Sequence, residues 1–417
     1  MRKVLISGMI GNGFEWYDFA LYGQMAFIIG HLFFPSGDPV AQSLAAFAAF
    51  AVAFVFRPLG AVLFGWIGDR FGRKKALVAA ILMMAIPTGA IGLLPTYEQI
   101  GYLAPILLVL IRILQGLSLG GEFGGAITYI VEHSEGKKRG LYGSSLIISL
   151  ILGFLFGSFV VALVQGSMSE AAFESWGWRI PFLLGVVIGV VGFYIRHGCA
   201  ESPAYEQAKA EGALADNPVR DAATKHWRLM LRAFCIYTAV TMPFYLVAIY
   251  FISYSKSWLN LSAGDALSIN VAAMLLMLVG AIIGAMLSDR IGRKRLMSGA
   301  ALAVMAMVIP TMMYMQIGDV SSALLWQCLL GLVIGVYVGP IPALLVEIFP
   351  TSIRYTGMSL ALNAATVVFG GTTPLVCITL LEWTQSPLAI AFYTIFCCSL
   401  ALAAFWNYED KWQESVV

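Results

Sequence analysis

The stretch GWIGDRFGRKK, residues 65–75, separates two long apolar runs. Gly72 permits a tight turn between them at no steric cost. A near copy, SDRIGRKR at residues 288–295, separates two further apolar runs, and its Asp289 follows Asp69 by 220 residues. Two copies of one motif at this interval in a chain of 417 residues indicate that the sequence is built from two equivalent halves.

The composition is that of a polytopic membrane protein: 60% of the residues are hydrophobic, 12% are charged, and the mean hydropathy is +0.84. Each of the apolar runs is long enough to cross about 30 Å of hydrocarbon as a helix rising about 1.5 Å per residue. We predict an all-α membrane protein with twelve transmembrane helices in two pseudo-symmetric six-helix bundles. The runs cover residues 4–30, 41–68, 75–95, 102–131, 140–165, 178–196, 228–254, 265–288, 295–315, 321–346, 355–381 and 387–407.

The longest polar stretch, residues 197–227, predicts a linker on the cytoplasmic surface with room for one short helix. It divides an N-terminal bundle, 1–196, from a C-terminal bundle, 228–417. If the N-terminus is inside, 21 of the 25 Lys and Arg residues, including the cluster 137–139, fall in cytoplasmic segments. This asymmetry predicts that both termini are cytoplasmic.

A second motif is also repeated in the two halves. Glu132 precedes Arg139 by seven residues, Glu347 precedes Arg354 by seven, and the two pairs are 215 residues apart. Asp69 and its copy end their helices, where a carboxylate opposes the helix dipole, so each needs an Arg or the N-terminus of a neighbouring helix. The alternative is that these loops only anchor the topology, which explains the Arg residues but not the recurring Glu.

We therefore predict an ionic lattice that closes a cytoplasmic gate. Its members are Asp69, Arg70, Arg73, Glu132, Arg139, Asp289, Arg293, Glu347 and Arg354. Where the first motif has Gly65, the second has Ala285, so we expect a looser helix approach in the second copy.

Five ionisable residues sit deep in the runs, all of them in the first half: Glu15, Asp18, Arg57, Arg112 and Glu122. A charge at such depth costs at least about 2.5–3.5 kcal/mol, so a functional role is its default interpretation. Counting along the helices, we expect Asp18 to meet Arg112, and Glu15, Arg57 and Glu122 to form a second cluster. Asp18, Glu15, Glu122 and Arg112 are the candidates for proton coupling. The alternative is permanent ion pairing that only fixes helix register.

Aromatic and polar residues near these charges are candidates for substrate binding. An Arg suits a carboxylate, and aromatic rings suit an ammonium group. The alternative for the rings is packing or an interfacial belt. The predicted substrate-binding residues are Arg112, Trp16, Tyr17, Tyr22, Gln115, Arg57, Tyr245, Gln327 and Asn363.

Nothing in the sequence indicates a metal, a cofactor or catalysis. The six cysteines lie almost wholly in apolar runs and have neither metal nor disulfide spacing, and the four histidines fall near run ends. No nucleophile–base pair appears in the runs. We predict that the protein is not an enzyme, holds no cofactor and binds no nucleic acid.

Several motifs carry a family resemblance. The repeated Asp-Arg-x-Gly-Arg-Lys pattern resembles the signature loop of the major facilitator superfamily. The whole chain resembles the metabolite:proton symporter family, and the proline/betaine branch most. The motifs are GNGFEWYDFALYG at 11–23, RPLG at 57–60, RILQG at 112–116, GGEF at 120–123, WGWRIP at 176–181, ESP at 201–203, and Phe349-Pro350 with Arg354-Tyr355-Thr356-Gly357.

The resemblance implies proton-coupled symport of a small zwitterionic or carboxylate solute, such as proline, betaine or a related amino acid, by alternating access in the bacterial inner membrane. The expected partners are the solute, protons and the lipid bilayer, and we expect a functional monomer. Two alternatives stay open: uptake of a dicarboxylate or tricarboxylate such as 2-oxoglutarate or citrate, and a non-transporting membrane receptor on the same fold. A receptor usually carries a soluble signalling tail, for which the sequence after the last run is short.

Overall fold

The computed structural model describes residues 1–35, 39–134 and 138–414, and every regular element within them is a helix. Lys137, one of the basic residues behind the predicted orientation, lies outside the described residues. All twelve predicted runs are helical. In chain order they are α1 Arg2–Gln24, α2 Pro39–Phe71, α3 Arg73–Leu93, α4 Leu103–Glu132, α5 Arg139–Gly166, α6 Arg179–His197, α7 Trp227–Ser257, α8 Ala263–Ile291, α9 Arg293–Met315, α10 Val320–Ile348, α11 Arg354–Thr384 and α12 Leu388–Phe405.

Among the described residues, eleven of these helices are long and apolar enough to cross a membrane, and α1, which carries Glu15 and Asp18, is the one that falls below that measure. The predicted all-α membrane architecture is confirmed. A helix of eight residues, Ala26–Phe33, continues α1 beyond Met25. The linker contains two short helices, Pro203–Ala210 and Pro218–Lys225, where the sequence predicted room for one.

The predicted tight turns are confirmed at both motif copies. A single residue separates α2 from α3 and α8 from α9: Gly72 has φ 118° and Gly292 has φ 94°. A side chain at either position would clash with the backbone, so glycine is the residue that allows consecutive helices to follow each other so closely.

Two helices carry short π segments. The segment Leu246–Tyr250 follows Pro243 in α7, and the segment Thr366–Gly370 lies in α11. Because a proline removes a backbone donor from the helical ladder, a local change of hydrogen bonding after Pro243 is expected.

Contacts along the chain group it into two units. Unit 1 contains residues 1–133, 149–219 and 351–359, and unit 2 contains residues 134–148, 220–350 and 360–417. Unit 1 therefore includes the first turns of α11, and unit 2 includes the first turns of α5. The bundle boundaries predicted at 196 and 228 stay a prediction.

In each unit, glycines let helices pack backbone to backbone. In unit 1, α2 packs against α4, and a Cβ on Gly120 would lie 2.0 Å from the Arg57 carbonyl oxygen. In unit 2, α8 packs against α10, and a Cβ on Gly335 would lie 2.1 Å from the Met277 carbonyl oxygen. Such small-residue contacts let membrane helices approach closely.

Candidate functional site

An aspartate on α1 and an arginine on α4 form a buried ion pair in unit 1, with three hydrogen bonds on the carboxylate. Arg112 Nη1 donates to Asp18 Oδ2 over 3.0 Å. Gln115 Nε2 and Thr88 Oγ1 each donate to Asp18 Oδ1 over 2.8 Å. All four side chains are buried. The predicted meeting of Asp18 and Arg112 is confirmed, and the donor set suits an ionised carboxylate.

The arginine of this pair is held by its own helix and by an aromatic ring. Gln115 lies three residues after Arg112 on the same face of α4, and Arg112 Nη1 donates to Gln115 Oε1 over 2.6 Å. The guanidinium lies 4.2 Å from the centroid of the Tyr22 ring, and the Tyr22 hydroxyl donates to the Ala46 carbonyl oxygen. The cation–π contact and the hydrogen bonds fix the position of the arginine.

A second buried pair joins Glu122 to Arg196. Both carboxylate oxygens of Glu122 accept hydrogen bonds from Arg196, which also donates to the carbonyl oxygens of Leu77, over 2.7 Å, and Ser7, over 3.3 Å. A Cβ on Gly11 would lie 1.8 Å from Arg196 Nη2, so the glycine makes room for the guanidinium. Sequence reasoning missed this arginine, because its place at the end of α6 looks like a topogenic anchor. The signal available in the sequence was Glu122 itself, because a buried glutamate needs a partner that binds both of its oxygens.

The predicted cluster of Glu15, Arg57 and Glu122 is present in part. Arg57 Nη2 lies 3.9 Å from Glu15 Oε1, and Glu15 and Glu122 line the same narrow void, although the ion-pair partner of Glu122 is Arg196. Among the residues that the structure describes, neither oxygen of Glu15 has a hydrogen-bond partner. The glutamate is 1% exposed.

The aromatic candidates of α1 make packing contacts. The Tyr17 hydroxyl donates to the Pro181 carbonyl oxygen over 2.6 Å, and its ring lies 5.7 Å from that of Phe156. The buried Trp16 ring lies 5.4 Å from the Phe19 ring. Their predicted roles in substrate binding stay predictions.

The polar and aromatic candidates of unit 2 are all buried. Tyr245 ends the regular part of α7, and a Cβ on Gly370 would lie 3.0 Å from its ring. Gln327 Nε2 donates to Ser255 Oγ over 3.3 Å, and Gln327 Oε1 has no hydrogen-bond partner among the described residues. Asn363 lies on α11. The roles of these residues also stay predictions.

At the helix ends of unit 1, the predicted lattice contacts are found. The Asp69 carboxylate accepts hydrogen bonds from the backbone N–H groups of Tyr355, over 3.2 Å, and Thr356, over 2.8 Å, at the start of α11. Arg73 Nη1 donates to the same carboxylate over 2.9 Å. The aspartate thus has both of the partners that its position at a helix C-terminus requires, an arginine and the N-terminus of another helix.

Glu132 extends this network. Arg73 Nε lies 3.3 Å and Arg354 Nη1 lies 2.7 Å from its two oxygens, and the Ser202 hydroxyl also donates to it. Arg73 and Glu132 are fully or almost fully buried. We call Asp69, Arg73, Glu132 and Arg354 helix-end cluster 1.

Unit 2 repeats the arrangement. The Asp289 carboxylate accepts hydrogen bonds from the backbone N–H groups of Gly140, over 2.9 Å, and Leu141, over 3.0 Å, at the start of α5. Arg293 Nη1 lies 2.6 Å from Asp289, and Arg293 Nη2 lies 3.1 Å from Glu347. We call Asp289, Arg293 and Glu347 helix-end cluster 2. Arg139, a further predicted member, donates to the Glu414 carbonyl oxygen over 2.6 Å.

The looser helix approach expected at Ala285 is not found. A Cβ on Gly140 would lie only 2.8 Å from the Ala285 carbonyl oxygen, so α5 and α8 are in close contact and the small residue is on α5. In unit 1 the place of Gly140 is taken by Tyr355, and the glycine is Gly65 on α2, where a Cβ would lie 2.7 Å from the Thr356 Cα. The glycine that makes the close contact possible is therefore on α2 in unit 1 and on α5, the partner helix of α8, in unit 2.

In each half, one carboxylate that follows the sixth helix caps the helix that begins after the tight turn. Glu201 Oε1 accepts a hydrogen bond from the Lys74 backbone N–H over 3.1 Å, and Asp410 Oδ2 accepts one from the Lys294 backbone N–H over 2.9 Å. Sequence reasoning did not assign Asp410 a role. The corresponding position of the two residues, each after the last helix of its half, was the available signal.

Arg70 lies apart from helix-end cluster 1. Its Nη1 donates to the Asp216 carbonyl oxygen of the linker over 2.7 Å, and its guanidinium lies 6.0 Å from the centre of the Trp66 ring. The Tyr205 hydroxyl donates to the Arg70 carbonyl oxygen over 2.9 Å, and burial raises the pKa of that hydroxyl. The predicted gate residue therefore ties the loop to the linker.

Comparisons with known proteins agree with one another. The family profile described as sugar (and other) transporter matches residues 4–409. The glycine betaine/proline/ectoine/pipecolic acid transporter OusA of Dickeya dadantii is 37% identical over 411 residues, which are 96% of this chain and 82% of that protein. The proline/betaine transporter of Escherichia coli is 36% identical over 403 residues, 94% of this chain and 80% of that protein.

The fold is also that of a solved transporter. The structure of the proton:xylose symporter XylE of the major facilitator superfamily, bound to 6-bromo-6-deoxy-D-glucose, superposes with a TM-score of 0.81 at 18% identity. The match covers 98% of this chain and 96% of that one.

Proposed function

Because this chain belongs to the sugar (and other) transporter family, we propose that it is a proton-coupled symporter of a small zwitterionic or carboxylate solute, working by alternating access. The curated relatives are named as transporters of proline, betaine and related zwitterions. The observation that carries the proposal is the buried ion pair of Asp18 and Arg112, since an ionisable pair inside a membrane helix bundle marks a proton or substrate path by default.

The proton controls the ion pair between Asp18 and Arg112. While Asp18 is ionised, its carboxylate holds Arg112 Nη1 at 3.0 Å. Protonation removes the negative charge, so the arginine loses its ion-pair partner and becomes available to the carboxylate of a solute. Gln115 and Thr88 keep the neutral acid in place, because both hydrogen bond to the same oxygen. Proton binding and solute binding are thereby linked at one arginine.

The solute class follows from the charge of the site. Arg112 offers a single fixed guanidinium, which suits one carboxylate, and the Tyr22 ring beside it offers an aromatic face. An ammonium or quaternary nitrogen is bound by such rings. We assign the remaining substrate contacts to Trp16, Tyr17, Gln115, Arg57, Tyr245, Gln327 and Asn363.

The two helix-end clusters serve as the cytoplasmic gate. In each one an aspartate binds the N-terminus of a fifth helix while its arginine joins it to a glutamate, so opening the gate breaks several hydrogen bonds together. We propose that both termini lie on the cytoplasmic side of a bacterial inner membrane, which the excess of Lys and Arg in the corresponding segments supports. We propose that the monomer is the functional form.

The test is uptake of radiolabelled proline and glycine betaine into proteoliposomes, with and without an imposed acid-outside pH gradient. The wild type accumulates solute only with the gradient. Asp18→Asn loses accumulation but retains solute exchange, since the amide keeps the shape of the site without its charge. Glu174→Gln, a change at an exposed residue, is the matched control. Accumulation without a gradient, or full accumulation by Asp18→Asn, contradicts the proposal.

A further inference from the structure

Six carboxylates are buried among the described residues, and they differ in whether they accept hydrogen bonds. Five of the six accept hydrogen bonds from N–H or O–H donors, and Glu15 is the exception. The five are Asp18, Asp69, Glu122, Glu132 and Glu347.

The surroundings of Glu15 do not replace these donors. Arg57 Nη2 is 3.9 Å away, which is beyond hydrogen-bonding distance. The void beside the carboxyl group is too narrow for a water molecule, and its lining from α3 is apolar, with Ile81 and Met84. The charged groups that face Glu15 are Arg57 on α2, Glu122 on α4, Arg196 on α6 and Asp18 on α1 itself.

These neighbours favour the neutral acid. An ionised carboxylate without donors in an apolar setting has lost its hydration and gained nothing in exchange. The negative charge of Glu122 lies on the same void, and Arg196 is already engaged by both oxygens of that glutamate. Of the two cations that face Glu15, Arg57 offsets a charge on it more strongly, and it lies about 1 Å farther away than in a charge-assisted hydrogen bond.

We propose that Glu15 is a second proton-binding carboxylate, which is protonated in the structure described here while Asp18 is ionised and paired with Arg112. When Glu15 loses its proton, its carboxylate draws Arg57 into a direct ion pair. The two acids lie three residues apart on one face of α1, so the same helix carries two protonation sites in opposite states. The role in coupling rests on the proposed function, whereas the protonation state does not depend on it.

The protonation state can be read directly by infrared spectroscopy of the purified full chain. A protonated carboxylic acid gives a C=O stretch well separated from that of a carboxylate, and the stretch shifts in heavy water. The wild type at neutral pH is expected to show this band, Glu15→Gln to lose it, and Glu174→Gln to keep it. Absence of the band from the wild type, or its persistence in Glu15→Gln, overturns the proposal.

A second variant covers the case in which Glu15→Gln does not fold. In Arg57→Met, Glu15 is expected to keep the band with its wild-type intensity, because the acid is already neutral beside the arginine. A band that is absent from the wild type and appears only in Arg57→Met shows that Arg57 holds Glu15 ionised, which overturns the proposal.

The coupling role is tested by the ratio of protons to solute, measured in proteoliposomes as the pH gradient that just balances a known solute gradient. We expect two protons per solute in the wild type and one in Glu15→Gln, with gradient-driven accumulation retained. An unchanged ratio overturns the coupling role. If wild-type accumulation does not depend on the gradient at all, the proposed function fails, and the infrared result still decides the protonation of Glu15.

Discussion

A methyl group added at Gly140 tests the contact between the start of α5 and helix-end cluster 2. The added Cβ of Gly140→Ala would lie 2.7 Å from Ser288 Oγ and 2.8 Å from both the Ala285 carbonyl oxygen and Asp289 Oδ1. All three distances are shorter than a normal contact, and one of the atoms belongs to the backbone of α8. The start of α5 must therefore move away from α8.

The size of the movement sets the size of the effect. Restoring ordinary contact requires a shift of about 0.6 Å, and the bond from the Gly140 N–H to Asp289, now 2.9 Å, then lengthens to about 3.5 Å, where it is no longer effective. Overpacking a tight contact costs about 1–3 kcal/mol, and the gain in helix propensity from glycine to alanine returns at most about 1 kcal/mol. We expect a net loss of about 1–2 kcal/mol in stability.

The measurement is thermal unfolding of the purified protein in detergent, together with uptake in proteoliposomes. Gly140→Ala is expected to unfold at a lower temperature and to transport more slowly, because the cap on α5 forms less often. Gly299→Ala is the matched control. It makes the same change inside α9 of the same unit, where a Cβ meets nothing within 4 Å, and it is expected to stabilise by about 0.5–1 kcal/mol.

Gly140→Ala refutes this reasoning if it unfolds at the same temperature as Gly299→Ala or above it. In that case α5 and α8 are not in the close contact on which the cap of Asp289 depends. If Gly140→Ala loses stability but transports normally, the close contact of α5 and α8 is supported, and the role of this contact in gating is contradicted.

Three further substitutions test contacts that the sequence did not reveal. Glu122→Gln leaves the buried Arg196 without its bidentate partner, and removing one member of a buried ion pair costs about 3–5 kcal/mol, so a large drop in unfolding temperature is expected; an unchanged temperature argues against the pair. Asp410→Ala removes the cap on α9 and is expected to cost about 0.5–2 kcal/mol and to speed amide hydrogen exchange at Lys294, with Glu201→Ala doing the same at Lys74. Unchanged exchange at Lys294 contradicts the cap.

The helices and the turns between them were predictable because their signals are local. Apolar runs of membrane length predict helices wherever they occur, and Gly72 and Gly292 mark the turns by a property of the residue itself. The meeting of Asp18 with Arg112 was also predictable, since depth along a membrane helix can be counted at about 1.5 Å per residue.

The partner of Glu122 could not be found in this way. Arg196 lies near the end of α6, and counting by depth assigns it to the membrane surface. Its long side chain instead reaches back into the bundle, where Gly11 leaves the space that it fills. Depth counting locates the Cα atom, whereas the position of a guanidinium depends on side-chain direction and on which neighbour is small.

The replacement of Gly65 by Ala285 shows a related limit. A glycine missing from one helix of a repeat suggested a looser contact, yet the close approach is kept by Gly140 on the other helix. Only the pair of facing positions decides whether two helices can touch, and a repeat compared position by position does not identify that pair.

Comparing the two halves also separates two kinds of feature in this transporter, those that occur in both halves and those that occur in one. Tight turns, aspartate caps and the pairing of Arg73 or Arg293 with a glutamate occur in both motif copies, at corresponding positions and similar distances. The charges deep in the membrane occur in α1, α2 and α4, and the sequence from α7 to α12 has none away from the helix ends. A feature present twice suits a movement in which both halves take part, whereas the groups that bind protons are needed in only one half. Coupling is therefore expected to fail on substitution of Asp18 and to lose one proton per solute on substitution of Glu15, while either helix-end cluster can be weakened without changing the number of protons carried per solute.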